Sequence, residues 1–368
     1  MKKIGLVTKI GKNYGAVLQA YALKKLLESA GNPVEVIQYR NPANLATDRI
    51  FLTPLRKGVV RYNLRRLRHI LPLRKSIDKF IDFRNRYLNM TRLYVDEESL
   101  RRNPPEEDIY VVGSDQVWNP GIVFSSANFL DFGREDAGRF SYAASFGKNR
   151  LSEEYAPKVK NYLSRFDGIS VREESGVEIL KELGIAAKFV LDPTLMLSED
   201  QWSEIEQKPK NLPSGKLIVC YFLHLNDAAI AAVKKLKKET GLPAVNISAE
   251  VFNPAFCDQE RWDLGPREFV WLMHHAEYVV TSSFHGTAFS LLFQKRFLTV
   301  SVHKDDGRLV SLLKVAGCED HLLKEDGDIS RIYDKPVIGP GMALMREQSR
   351  EYLQEILGYD SSRTGDGI

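Results

Sequence analysis

The fold is indicated first by residues 3–39, which read KIGLVTKIGKNYGAVLQAYALKKLLESAGNPVEVIQY. The apolar run at 3–8 predicts a strand, the glycines of 11–15 predict a turn, and the apolar spacing of 16–29 predicts a helix. A second strand is predicted at 34–39. Together these elements form one βαβ unit, the repeating element of a parallel sheet.

The same alternation of short apolar runs and longer amphipathic stretches continues along the 368 residues. It predicts an α/β fold of two doubly wound, Rossmann-like domains that face each other across a cleft. Because the rhythm restarts near residue 168, we predict an N-terminal domain over 1–167 and a C-terminal domain over 168–340. An amphipathic helix at 341–358 is predicted to cross back to the first domain, and 359–368 is predicted to be a flexible tail.

Composition argues against several classes of protein. The 43% hydrophobic and 27% charged residues are typical of globular chains, and the net charge of +4 is too small to indicate a nucleic-acid partner. The longest apolar run, Leu217–Leu223, is far shorter than the roughly 20 residues of a membrane-spanning helix. The amino terminus does not read as a secretory signal, and the 3 widely spaced cysteines favour a reducing cytoplasm.

Ligands of open parallel sheets bind outside the carboxyl ends of the strands, so four strand-to-helix turns are candidate sites. The first turn contains Asn13, Tyr14 and Gly15 at the start of a predicted helix. Unpaired amide groups and the positive end of the helix dipole would favour an anionic or hydroxyl-rich ligand there. A tight turn that binds nothing is an equally good interpretation.

The second turn contains Ser114, Asp115 and Gln116, followed by Trp118. A carboxylate, an amide and an indole in succession suit the binding of sugar hydroxyls by hydrogen bonds and ring stacking. The alternative is that Asp115 only caps a helix. The third turn contains Arg172, whose planar guanidinium suits a carboxylate or phosphate, although a surface ion pair with Glu173 or Glu174 stays open.

The fourth turn contains Ser282, Ser283, His285, Gly286 and Thr287. Two hydroxyls, an imidazole and a glycine at the start of a helix predict an anion site with a group that exchanges protons near neutral pH. A structural histidine, with a glycine that permits close helix packing, is the alternative.

No metal site is predicted. The adjacent His274 and His275 would diverge by about 100° on a helix and so could not share an ion as an i, i+4 pair would.

Six blocks of sequence carry a resemblance to a known family, in this order: Asn13–Gln19, Gly113–Asn119, Ser141–Gly147, Ser170–Glu173, Asp192–Thr194 and Ser283–Gly286. Together they resemble the polysaccharide pyruvyl transferase family, and the resemblance extends over roughly residues 3–325. It implies a fold similar to the two-domain GT-B glycosyltransferases. It also implies transfer of a pyruvyl group from phosphoenolpyruvate to two hydroxyls of a sugar, in a cell-surface polysaccharide or its precursor, to form a cyclic ketal.

By this resemblance Arg172 matches the family arginine that helps to hold the donor, and His285 matches the histidine near the donor. From the chemistry of the reaction, we expect His285 to act as the acid or base. The residues predicted to bind substrates are Asn13, Tyr14, Gly15, Ser114, Asp115, Gln116, Ser282, Ser283, Gly286 and Thr287. No cofactor or metal is implied beyond phosphoenolpyruvate as donor substrate. Many members have an arginine two residues before the histidine, where this chain has Ser283.

Two other functions stay open, and Ser283 favours both of them. One is a GT-B-like glycosyltransferase that uses a nucleotide sugar. The other is a non-catalytic carbohydrate-binding or scaffold protein of polysaccharide assembly. The expected partners of the pyruvyl transferase are phosphoenolpyruvate and a sugar or lipid-linked oligosaccharide acceptor.

The stretch Arg49–Lys75 contains many basic residues and no acidic one, interleaved with apolar residues. Such a segment suits contact with anionic lipid, so we expect a cytoplasmic protein, with peripheral attachment at the inner membrane face as one hypothesis. A solvated basic helix packed on the first domain is the other interpretation.

Overall fold

A computed structural model describes residues 1–39, 67, 69–122, 124–248, 255–301, 307–323 and 328–360. The chain divides into two compact units. The first contains 1–47, 84–196 and 343–368, and the second contains 48–83 and 197–342. None of the helices formed by the described residues is long and apolar enough to cross a bilayer.

The first unit is built on a parallel sheet. Its strands are β1 (Ile4–Val7), β2 (Val34–Val36), β3 (Ile109–Asp115), β4 (Gly138–Ala144), β5 (Ser170–Val171) and β6 (Lys188–Phe189). They lie in the order β2-β1-β3-β4-β5-β6, with every pair parallel. The order changes direction between β1 and β3, and ligands of doubly wound sheets bind at such a switch point.

The second unit has its own parallel sheet. Its strands are β7 (Ile218–Tyr221), β8 (Ala244–Asn246), β9 (Gln259–Glu260), β10 (Tyr278–Thr281) and β11 (Arg296–Thr299). They lie in the order β11-β10-β7-β8-β9. The order again changes direction, here between β10 and β7, so the turn after β10 also ends at a switch point.

The α-helices formed by the described residues are numbered in chain order: α1 (Tyr14–Glu28), α2 (Ile70–Tyr87), α3 (Glu97–Arg102), α4 (Tyr155–Leu163), α5 (Glu174–Glu182), α6 (Glu199–Ser203), α7 (Asp227–Thr240), α8 (Pro266–His275), α9 (Phe284–Leu292), α10 (Gly307–Ala316) and α11 (Pro340–Gly358). The start of α1 shows how side chains set these bounds. The side-chain oxygen of Asn13 accepts a hydrogen bond from the backbone N of Ala16 at 3.1 Å, which caps the helix.

The structure divides the chain at a different place from the predicted boundary at 167/168. Strand β5 pairs with β4, and β6 pairs with β5, so both complete the first sheet. Residues 168–196 therefore belong to the first unit. The strands are only two residues long, too short for their apolar pattern to indicate which sheet they join.

Most of helix α11 also belongs to the first unit. The Tyr352 hydroxyl donates to the carbonyl oxygen of Ser141 at 2.9 Å, and the Ser349 hydroxyl accepts from the backbone N of Leu191 at 2.9 Å. These buried hydrogen bonds join α11 to β4 and to the segment that follows β6.

The basic stretch Arg49–Lys75 lies mostly outside the described residues. Its last two cations, Arg74 and Lys75, are exposed on α2, beside Leu71, whose exposed fraction is 70%. Contact of this stretch with a membrane stays a prediction.

Glu107 is a buried acid that makes the stability of the chain depend on pH. A Cβ on Gly5 would lie 2.9 Å from the Cγ of Glu107, so the carboxyl side chain packs closely against β1. Burial, together with the nearby charge of Glu35, raises the pKa of Glu107 from 4.5 to about 7. Between these two values the folded chain keeps a proton that the unfolded chain has released, so stability falls as pH rises.

We therefore expect Glu107→Gln to remove this dependence. Above pH 7 the variant should exceed the parent in free energy of unfolding by about 1–3 kcal/mol, and below pH 4.5 the difference should vanish. Urea denaturation at pH 5 and pH 8 measures both. Glu106→Gln, at the exposed neighbouring position, is the matched control. If the free energy of unfolding changed with pH in the same way in Glu107→Gln and in the parent, Glu107 would not be the source of the pH dependence.

Candidate functional site

A cluster of charged side chains lies at the carboxyl edge of the first sheet. Arg172 follows β5, and its Nη1 donates to Asp192 Oδ2 at 2.8 Å while its Nη2 donates to Asp115 Oδ1 at 2.9 Å. Sheet register explains the meeting, because Ala144 pairs with both Asp115 and Val171. The planar guanidinium thus bridges two carboxylates, as its fork of donors allows.

Glu173 adds a third carboxylate. Its Oε2 lies 3.9 Å from Arg172 Nε, and its Oε1 accepts from the backbone N of Phe146 at 2.9 Å. One guanidinium and three carboxylates give the cluster a formal charge of −2. Burial opposes the charged form of Arg172, but the carboxylates of Asp115, Asp192 and Glu173 outweigh burial and raise its pKa.

Asp192 and Asp115 differ in what else they can bind. Asp192 Oδ2 also accepts from Ser114 Oγ at 2.8 Å, and its Oδ1 accepts from the backbone N and the hydroxyl of Thr194 at 3.0 and 2.8 Å. Asp192 is fully buried, whereas the side chain of Asp115 is 15% exposed. Of these two carboxylates, Asp115 is therefore the one that a ligand could reach.

The backbone around Ser114 holds the carboxylate of Asp115 in place. Gly113 has φ +121°, and a Cβ there would lie 2.2 Å from the carbonyl oxygen of Tyr142, so only glycine fits. The backbone N of Ser114 donates to Gln19 Oε1 at 3.0 Å, and its carbonyl oxygen accepts from Thr8 Oγ1 at 3.2 Å. These hydrogen bonds join the end of β3, immediately before Asp115, to α1 and to Thr8, which follows β1.

Several residues predicted to bind substrate have partners within the protein, and their contact with a substrate stays a prediction. Asn13 caps α1, and Tyr14 and Gly15 are buried within it. Gln116 accepts a hydrogen bond from Asn119. Trp118 is fully buried, and its Nε1 donates to the carbonyl oxygen of Asn128, so its ring cannot stack on a sugar.

The turn after β10 contains the second group of predicted residues. Ser282 Oγ accepts from the backbone N of Leu223 at 3.1 Å and donates to the carbonyl oxygen of His224 at 2.8 Å. Ser283 Oγ accepts from the backbone N of Gly286 at 3.4 Å and caps α9. Both serine hydroxyls therefore hold the turn in shape.

Gly286 and Thr287 pack α9 against the second sheet. A Cβ on Gly286 would lie 2.2 Å from Thr281 Oγ1, so the close-packing interpretation of this glycine holds. Thr287 Oγ1 lies 2.8 Å from Thr299 Oγ1, and Thr299 ends β11. These contacts fix the start of α9 to the carboxyl edge of the sheet.

His285 is the second residue of α9 and is 6% exposed. Its ring meets that of Phe284 edge-on, with centroids 5.4 Å apart. The imidazole therefore lies beside the first-turn amides of α9, where the helix dipole favours anions. His285 and Arg172, the two residues predicted as catalytic, belong to different units.

Comparison with known proteins identifies the family. A family model described as polysaccharide pyruvyl transferase matches residues 13–304. The chain belongs to the polysaccharide pyruvyl transferase family. The family predicted from the six sequence blocks is thus confirmed. No curated protein matches this chain.

Solved structures with a similar fold are UDP-GlcNAc 2-epimerases. The enzyme from Methanocaldococcus jannaschii is 12% identical, with a TM-score of 0.52 over 97% of this chain and 99% of its own. The enzyme from Rickettsia bellii is 11% identical, with a TM-score of 0.51 over 100% of this chain and 99% of its own. Such identities show the fold alone. They confirm the predicted class of two doubly wound, Rossmann-like α/β units, as in GT-B proteins.

In this pyruvyl transferase family member, sequence reasoning missed Asp192 and Thr194 as parts of the charged cluster. A signal was present, since Asp192-Pro193-Thr194 is one of the six blocks, but it was not among the four candidate turns. The sequence alone assigned no role to this block, because Arg172, the partner of Asp192, is 20 positions away.

The adjacent histidines also differ from expectation. His274 Nδ1 lies 2.9 Å from Glu206 Oε2, and His275 Nε2 lies 3.1 Å from Glu206 Oε1. The two rings are expected to diverge on the helix, but both reach Glu206. His274 contacts it through Nδ1, the ring nitrogen nearer the backbone, and His275 contacts it through Nε2, the outer ring nitrogen. The two side chains therefore share one carboxylate.

Replacement of Ser283 tests whether its hydroxyl in the turn after β10 serves to stabilise the fold. We expect Ser283→Ala to lower the free energy of unfolding by about 1 kcal/mol, because the start of α9 loses its cap. Ser283→Asp, which can still cap, should retain stability. Urea denaturation of the three proteins decides it. An alanine variant as stable as the parent would show that the hydroxyl serves something other than the helix.

Proposed function

We propose that this chain transfers a pyruvyl group from phosphoenolpyruvate to two hydroxyls of a sugar and so forms a cyclic ketal. Membership of the polysaccharide pyruvyl transferase family supports the reaction class. The main structural support is the partly exposed carboxylate of Asp115, which the buried guanidinium of Arg172 holds at a switch point of the first sheet. A fixed carboxylate of this kind suits a sugar hydroxyl, which donates a hydrogen bond.

The proposed chemistry begins with the enol phosphate group of phosphoenolpyruvate. A proton is added to its methylene carbon, which leaves a cationic centre on the carbon that bears the phosphate. A sugar hydroxyl oxygen forms a bond to that centre and loses its proton to a base. The carbon–oxygen bond to phosphate then breaks, the electron pair leaves with phosphate, and the second hydroxyl attacks and loses its proton to close the ketal.

We assign the acid role to His285 and the base role to Asp115. Imidazole exchanges protons near neutral pH, and the carboxylate of Asp115 is oriented by Arg172 and 15% exposed, so an acceptor hydroxyl could reach it. The first-turn amides of α9 suit the carboxylate and phosphate of the donor. Ser283 stands where many members have an arginine, so this chain lacks a cation at that position.

Arg172 has a different part in this proposal from the one that the family implies. Its guanidinium already holds Asp115 and Asp192, in a cluster with an excess of negative charge. We therefore assign Arg172 to orienting the acceptor carboxylate. Direct contact of Arg172 with the donor stays a prediction.

The test is incubation of the protein with phosphoenolpyruvate and a panel of sugars and lipid-linked oligosaccharides. Phosphate release together with a product of ketal mass supports the proposal. Thermal stabilisation by nucleoside diphosphates and not by phosphoenolpyruvate would favour a glycosyltransferase. Stabilisation by neither, with binding of glycans, would favour a non-catalytic carbohydrate-binding protein.

A further inference from the structure

Three potential metal ligands meet in the second unit, in residues that the proposed reaction does not use. His274 and His275 end α8, and Glu206 follows α6, at a sequence separation of 68 from His274. One imidazole nitrogen of each histidine faces one oxygen of Glu206, at 2.9 and 3.1 Å. The three ligand atoms lie within 4.8 Å of one another.

The second ring nitrogen of His274 shows which atom is available to an ion. Nε2 of His274 lies 2.9 Å from Glu199 Oε1, which leaves Nδ1 as the ring nitrogen that faces Glu206. Nδ1 lies 2.9 Å from Glu206 Oε2, so a metal ion could take the place of a proton between these two atoms. A carboxylate behind a histidine is also the usual arrangement that orients metal-binding imidazoles.

Packing holds both rings in these orientations. The ring of His274 stacks on Phe293 with centroids 4.4 Å apart, and the ring of His275 stacks on Trp271 at 4.5 Å. Both histidines also stand in the last turn of α8, where the helix dipole favours a positive charge. A cation would therefore find its ligands already oriented.

We propose that His274 Nδ1, His275 Nε2 and the Glu206 carboxylate bind a divalent transition metal, with Zn²⁺ as the best match. Imidazole and carboxylate are ligands that Zn²⁺ prefers, and solvent completes the coordination. Ligand atoms around a tetrahedral ion with bonds of about 2.0–2.1 Å are about 3.3 Å apart. The distances of 2.9 and 3.1 Å run from the two ring nitrogens to different oxygens of Glu206, and both nitrogens and one oxygen lie within 4.8 Å of one another, so modest side-chain movements would bring the three atoms around one ion.

A metal ion would displace any proton held by its ligand nitrogens and carboxylate, so we expect zinc binding to release protons. It would also join the segment after α6 to the carboxyl end of α8 and stabilise the second unit. The proposal does not depend on pyruvyl transfer, because none of the residues in it belongs to that reaction.

The experiment uses the full chain without a polyhistidine tag, treated with a chelator and then titrated with ZnCl₂ in a calorimeter. We expect one Zn²⁺ per chain and a higher melting temperature with the metal. His275→Gln and Glu206→Gln should each weaken binding at least 10-fold, and Glu199→Gln should weaken it about 10-fold by releasing the His274 ring. His224→Gln, an exposed histidine of the same unit, is the matched control and should leave the Kd unchanged.

His275 is 43% exposed, so its replacement should not impair folding, and the circular dichroism spectrum checks this. Co²⁺ gives an independent readout, since a tetrahedral complex absorbs strongly in the visible range and should lose that band in His275→Gln. Absence of binding at millimolar Zn²⁺ would overturn the proposal. So would a Kd that neither His275→Gln nor Glu206→Gln changes.

Discussion

Replacement of Arg172 by methionine is expected to lower the free energy of unfolding by about 3–5 kcal/mol. In the parent protein the guanidinium is fully buried and donates to Asp192 at 2.8 Å and to Asp115 at 2.9 Å. Methionine fills a similar volume but leaves three carboxylates close together, two of them in buried surroundings, without the guanidinium that bridges them. Their mutual repulsion and lost solvation destabilise the folded state.

Two further variants separate charge from geometry at this position. Arg172→Lys keeps the positive charge but cannot bridge two carboxylates with a planar fork, so we expect a smaller loss. Adding Asp192→Asn to Arg172→Met removes one of the repelling charges and should recover part of the stability, as a double-mutant cycle would measure. Urea denaturation followed by circular dichroism supplies all the values. If Arg172→Met is as stable as the parent, the ionic cluster is not formed in solution.

Regular elements with a clear apolar period could be predicted from the sequence. The sequence predicts a helix at Pro266–His275 and a strand at Tyr278–Thr281, and the structure has both with these bounds. Proline starts the helix, and charged or polar residues adjoin the ends of both elements. Helix α1 starts at Tyr14 rather than Ala16, since the side chain of Asn13 caps it. Local signals of this kind act over a few residues and are visible in the sequence.

Contacts between distant residues could not be predicted. The periodicity of 170–171 indicates a strand but not its neighbours, so the first unit extends beyond the predicted boundary. Glu206 and His274 are likewise 68 positions apart, and no local pattern connects them. Sheet order and the position of a carboxylate opposite a cation depend on the tertiary fold.

Hydroxyl residues at turns are ambiguous for a physical reason. A serine at the start of a helix can bind a ligand or cap the helix, and both uses favour the same position in the sequence. Ser283 caps α9, and Ser282 binds the backbone at 223–224. The strand-end positions of Asp115 and Arg172 were predictable, whereas their pairing with each other was not.

The second large effect is expected at His285. His285→Ala should lower the turnover of ketal formation on the order of 100-fold or more, because the methylene carbon of phosphoenolpyruvate would lose its proton donor. Phosphate release and product mass, measured at saturating phosphoenolpyruvate, give the turnover.

Two comparisons distinguish proton transfer from a structural role of His285. His285→Gln retains most of the side-chain volume but cannot exchange a proton near neutral pH, so we expect the same loss of turnover with less loss of stability. Added imidazole should restore part of the activity of His285→Ala and none of that of His285→Gln, because only the alanine variant leaves room for it. A glutamine variant with turnover close to the parent would reject the acid role, and the first-turn amides of α9 would then have to bind the donor without an adjacent acid.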